Sequence, residues 1–109
     1  MAKIPVVSRM RLTYPTGDAF ITLRRATNEE QNRFEAARFG APDNATPAEA
    51  MGHAKNAICD FFDLLVVKIE DLEDDQGPIT LDRLDAIPQD QKVEVMFRRW
   101  TPSAVEEKN

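Results

Sequence analysis

A chain of 109 residues with 42% hydrophobic and 30% charged side chains has the size and composition of one folded domain, which excludes a description of the whole as disordered. Its formal net charge of -5 argues against a nucleic-acid binder, because such proteins neutralise phosphates with a surplus of Lys and Arg. The lone Cys59 excludes an internal disulfide, and nothing approaches the roughly 20 apolar residues of a membrane span.

The first residues mix Pro5 with three charges before Leu12, so no secretory leader is expected, and a cytoplasmic setting fits best. Met10, Leu12 and Tyr14 alternate with Arg9, Arg11 and Thr13. After Pro15, Thr16, Gly17 and Asp18 a second β-prone run follows over 19–23, so the period-two pattern around a turn predicts a β-hairpin. Arg9, Arg11, Arg24 and Arg25 in these runs read as solvated residues on an outward sheet face.

Thr27 stands three residues before Glu30, the spacing of a capping box, and a helix is predicted from 28 to about 39, stopping at Gly40. With few apolar side chains, Phe34, Ala37 and Phe39 among them, it reads as a surface helix packed by one edge. Pro42, Asp43 and Asn44 then make a loop. Thr46 and Glu49 repeat the capping box with Pro47 at the first helical position, where its missing amide is not needed. Met51, Ala54, Ile58, Phe61, Phe62 and Leu65 recur at helical spacing and define one apolar face.

From 64 to 72 the β-branched content rises, and Val67 and Ile69 alternate with Lys68 and Glu70, which predicts a strand directly after the helix. Residues 74–78 make a turn, with Ile79 and Thr80 as a short return strand. Thr80 is alternatively the cap of a short helix over 81–87. A last helix is predicted from Pro88, with Val93, Met96, Phe97 and Trp100 at i, i+3, i+4 and i+7, ended by Thr101 and Pro102. The fold class expected is α+β: an N-terminal β-hairpin, three amphipathic helices, and one or two further short strands in a small antiparallel sheet. Residues 1–102 form a single domain, and 103–109 a frayed charged tail.

Few residues of the chain are suited to chemistry. His53 is the sole histidine, and on one helix its side chain and that of Cys59 sit about 120° apart in azimuth and about 9 Å apart in rise, so they cannot form a nucleophile dyad. His53 reads as a solvated helix residue and Cys59 as a partly buried small hydrophobe. Seven carboxylates fall between Asp60 and Asp75. A calcium loop counted from Asp71 would need Gly at its sixth place, where Gln76 stands and Gly77 comes one late. Phosphate-cradling glycine loops, Cys/His metal spacing and nucleophile elbows are all missing from the sequence. No catalytic residue, metal ligand or cofactor is assigned.

Phe61 and Phe62 on the second helix, with Met96, Phe97 and Trp100 on the last, are the candidate protein-binding residues. Two adjacent phenylalanines cannot both point into one narrow stripe, so one of Phe61 and Phe62 is expected at its edge, open to a partner or a second copy.

The run from Val66 through Lys68, Glu70, Leu72, Asp75, Gly77 and Pro78 to Thr80, followed by Leu81, Leu84, Ile87 and Pro88, resembles the tail-assembly chaperones of tailed bacteriophages. That family shows a strand, an acidic turn with Gly, a short leucine-to-leucine-proline segment and then an amphipathic helix. Phe20 to Thr27, followed by an acidic helix start, is similar to how those proteins begin, while the loop with Pro42 and Asn44 departs from their pattern. The resemblance implies an accessory protein of the bacterial host cell cytoplasm, without catalysis or cofactor. It implies binding to the tape-measure protein of a growing tail, keeping its apolar helices soluble until tail-tube subunits polymerise around them. Two alternatives stay open: a structural virion component of the head-tail junction or tail that assembles symmetrically, as a homo-oligomer, through the hairpin edge, and a small enzyme or metal-binding protein centred on the carboxylates near Asp71.

Overall fold

The computed structural model describes residues 1–99, so Trp100, the helix end at Thr101 and Pro102, and the tail lie outside the described residues. The chain is α+β. Strand β1 (Val7–Tyr14) turns through Pro15 and Thr16 into β2 (Gly17–Arg24), pairing antiparallel from Val7 against Arg24 to Tyr14 against Gly17. The loop is two residues shorter than the expected turn, because Gly17 takes φ 146, a backbone that L side chains rarely adopt, and joins the ladder directly.

Helix α1 (Asn28–Arg38) and helix α2 (Pro47–Leu65) both begin with the predicted capping box. The Thr27 hydroxyl accepts the Glu30 amide at 3.1 Å while Glu30 accepts the Thr27 amide at 2.9 Å, and Thr46 and Glu49 repeat the exchange. Strand β3 (Val66–Glu70) starts on the residue after α2 ends. It returns antiparallel to β2, giving a sheet of order β1-β2-β3 with a register shift opposite Thr22 and Leu23 that leaves Val67 as the extra residue.

Asp71, at φ 59, then turns the chain away from the sheet. A separate two-stranded ribbon follows, β4 (Glu73–Asp74) against β5 (Gly77–Pro78), so the return strand is formed by Gly77 and Pro78 and not by Ile79 and Thr80. Gly77, at φ 116, and the Asp74 carboxylate accepting the Gln76 amide close that ribbon within two residues. A 3₁₀ segment (Leu81–Ala86) comes next; Thr80 makes no side-chain cap bond to it. Helix α3 (Gln89–Arg99) completes the described chain, with the Pro88 carbonyl accepting its first amides, from Gln91 and Lys92.

Met10, Leu12, Ala19, Ile21 and Leu23 point from one face of the sheet into the core, where they meet Phe62 and Leu65 of α2 and Val95 and Met96 of α3. On the opposite face Arg9, Arg11, Thr13 and Lys68 are exposed. Helix α2 is the central element, with α1 and α3 packed on it and the sheet behind. The buried side of α3 comprises Lys92, Val95 and Met96, so the expected stripe through Val93 and Phe97 is rotated: Val95 takes the core position and Phe97 the rim. Among the described residues no helix is long and apolar enough to cross a membrane.

Candidate functional site

The apolar stripe of α2 is longer than the layer it packs on. From Met51 to Leu65 it runs about 21 Å, yet the buried residues of α2, Ala57, Ile58, Cys59, Phe61, Phe62 and Leu65, all fall in the second half of the helix. The first half overhangs. Met51 stays 74% exposed, and together with Ala54 and Ile58 it forms one wall of an open apolar groove of about 360 Å³. Val93 and Phe97 of α3 form the other wall, with Phe97 46% exposed.

Charged side chains border the groove. Lys55 of α2 reaches Asp90 of α3 at 2.6 Å, and Arg38 at the end of α1 adds a second cation. The hydrogen bond from Lys55 holds the Asp90 carboxyl below its usual range, and the same contact raises the Lys55 ammonium. Deeper between α2 and α3, Cys59 lies with its sulfur 3.8 Å from the Gln89 carbonyl, and burial pushes its thiol up. Such a thiol is a poor nucleophile, since the thiolate is the reactive form.

Of the four described residues assigned to binding from sequence, the groove contains only Phe97. Phe61 and Phe62 are both buried, at 4% and 0% exposure, which overturns the expectation that one of them lies open at the edge. The reason is that α2 has neighbours on adjacent sides. Phe61 stacks on Phe34 of α1, with ring centroids 4.3 Å apart and planes 13° from parallel, while Phe62 is enclosed in the core. Met96 is likewise fully buried, and Trp100 lies outside the described residues. Met51, Ala54, Ile58 and Val93 are the groove residues that sequence reasoning did not assign to binding. Met51 and Ala54 were legible as the start of the α2 stripe and Ile58 as its middle, but nothing local says where the covering layer stops.

Several of the candidate chemical residues have partners elsewhere. The His53 ring nitrogen Nε2 lies 2.9 Å from the Ala37 carbonyl, so this histidine ties the open end of α1 to α2 and is not merely solvated. Asp74 holds Arg83 through both carboxylate oxygens, at 2.9 and 2.8 Å, and Arg83 also donates to the carbonyls of Gly77 and Pro78. That contact holds the Asp74 carboxyl below its usual range and makes the acidic turn a structural clasp. Among the described residues no group of three His, Cys, Asp or Glu side chains is placed to hold a metal ion. In comparisons with protein-family models, curated proteins and solved structures, the chain matches none of them.

Proposed function

We propose that this protein is a non-catalytic, protein-binding accessory factor of the host-cell cytoplasm, a tail-assembly chaperone-like protein whose α2/α3 groove holds an apolar helix of a tape-measure-type partner. The observation that carries the reading is the unburied half of the α2 stripe, with Met51 and Phe97 exposed on facing walls. An open apolar groove between two helices suits the apolar face of a third, which enters through side chains at i, i+3, i+4 and i+7. The flanking pair Lys55 and Asp90, with Arg38, offers both signs of charge to the polar edges of such a helix. The non-catalytic part of the reading draws on the bonded His53, the buried Cys59 and the clasped Asp74. The resemblance in 66–88 supplies the class of partner.

The test is co-purification from cells carrying the native genome neighbourhood, with bound proteins identified by mass spectrometry, followed by Met51→Asp and Phe97→Asp. Both positions are exposed enough to accept the change without unfolding the core. A long helical partner recovered with the unaltered protein and lost with both variants is the expected outcome. Recovery that ignores both substitutions, or presence of the protein as a stoichiometric subunit of purified virions, would sink the reading.

A further inference from the structure

Among the described residues, strand β1 leaves one side of its backbone without a neighbouring strand, and the register identifies the groups on it. The Arg25 amide donates to the Val6 carbonyl at 2.8 Å, and these two residues stand opposite each other by continuation of the ladder that sets Val7 against Arg24. Bonded and non-bonded pairs alternate along an antiparallel ladder. Ser8, Met10, Leu12 and Tyr14 therefore direct their backbone groups to β2, while Val7, Arg9, Arg11 and Thr13 turn theirs outward. One contact reaches this row from outside the sheet: Arg98 Nη1 donates to the Arg11 carbonyl at 2.6 Å. Among the described residues it is the sole hydrogen-bond partner of these outward groups.

The side chains of the same row lie on the helix-free face. Arg9 sits 3.8 Å from the centre of the Phe20 ring and meets Glu70 at 3.1 and 3.2 Å. Arg11 is exposed and makes no ion pair among the described residues. A second copy of the chain is a poor occupant. Any antiparallel register that pairs three or four of Val7, Arg9, Arg11 and Thr13 with the same row of another copy sets an arginine opposite an arginine, and like charges directly opposite destabilise a pair. The row selects the opposite sign.

We infer that the open edge of β1 is a docking site for an extended segment of a partner protein in which acidic and apolar side chains alternate. The added strand bonds to the outward groups of Val7, Arg9, Arg11 and Thr13. Its acidic side chains lie beside Arg9 and Arg11, and its apolar ones continue the row of Met10 and Leu12. Arg98 holds the Arg11 carbonyl when that strand is absent and gives it up when the strand arrives. The site is separate from the α2/α3 groove and does not depend on it.

The probe is a fluorescent peptide of the length of β1 with alternating valine and glutamate, read by anisotropy, with a valine and lysine counterpart as control. Saturable binding of the glutamate peptide alone is expected, weakened at least about tenfold, or about 1.4 kcal/mol, by Arg11→Glu and by Thr13→Pro. The second change removes an outward amide without touching a bond to β2. The same peptide N-methylated at every residue, which has no amide left for a ladder on either edge, tests the point without altering the protein and should not bind; Met51→Asp should bind normally. Equal binding of both peptides, full binding of the N-methylated peptide, or no saturable binding would overturn the inference. So would tighter competition by a polythymidine strand, which would make the row a general anion patch.

Discussion

Lys92 of α3 is almost wholly buried, and its ammonium lies 2.9 Å from the carboxylate of Asp63 on α2, which is itself 39% exposed. The same nitrogen lies 5.6 Å from the centre of the Phe62 ring. One charge of this pair is in the core and the other is wet, so the two halves respond differently to mutation. Asp63→Ala strands a buried ammonium and should cost about 1–3 kcal/mol. Lys92→Met keeps the aliphatic stem while removing the charge and should be neutral or stabilising. Urea unfolding of the two variants separates them, and equal losses would contradict the asymmetry.

The two halves of the α2 stripe should differ in the same experiment. Phe62→Ala opens a cavity in a fully enclosed site and should cost about 3–5 kcal/mol. Met51→Ala, at an overhanging position, should change stability by no more than about 0.5 kcal/mol. A large loss at Met51 would mean that the groove is closed by the chain itself.

Helix caps give a third check. Thr27→Ala and Thr46→Ala each remove the acceptor of a capping box and should cost about 1 kcal/mol, measured as a lower midpoint of thermal or urea unfolding.

The first box also carries a pH signature. Glu30 accepts from Arg24 at 2.8 and 2.7 Å and from the Thr27 amide, and these bonds lower its carboxyl from an ordinary 4.5 to about 2. A carboxyl depressed in the folded state contributes stability above its unfolded pKa. That contribution should be present at neutral pH and should fade as pH drops from 4.5 towards about 2. Glu30→Gln should flatten this part of the melting-temperature profile; an unchanged slope would show that the pair is not formed in solution.

Gly17 supplies the last prediction. At φ 146 it has open space around the position of a side chain, so the cost of Gly17→Ala is backbone strain and not a clash. The loss should exceed about 1 kcal/mol and should be visible in the hairpin first, as faster amide exchange over β1 and β2.

Features written in local chemistry were readable in advance. The capping boxes at Thr27 and Thr46 depend on residues three apart, and the hairpin on alternation around a turn, so each is set by short-range stereochemistry. A strand following α2 was legible from the β-branched run over 64–72, but not its bounds: Leu64 and Leu65 stay in the helix and β3 covers Val66–Glu70. The ribbon was legible as a turn but displaced, because Gly77 takes a positive φ and returns the chain two residues sooner than the pattern suggests.

The candidate site was less legible for a physical reason. Helical periodicity shows which side chains share a face, not how far along the axis a covering layer extends. Phe61 and Met51 belong to one stripe, yet Phe61 is stacked under α1 and Met51 is open. Likewise, Lys92 looks like a surface residue until α3 is docked on α2 and the Asp63 carboxylate is brought within bonding distance. The sequence by itself determined the hairpin, the capped starts of α1 and α2 and the apolar face of α2, since those follow from contacts between near neighbours in the chain. Only the tertiary structure decided which part of each face is covered, because burial depends on surfaces brought together from distant parts of the chain.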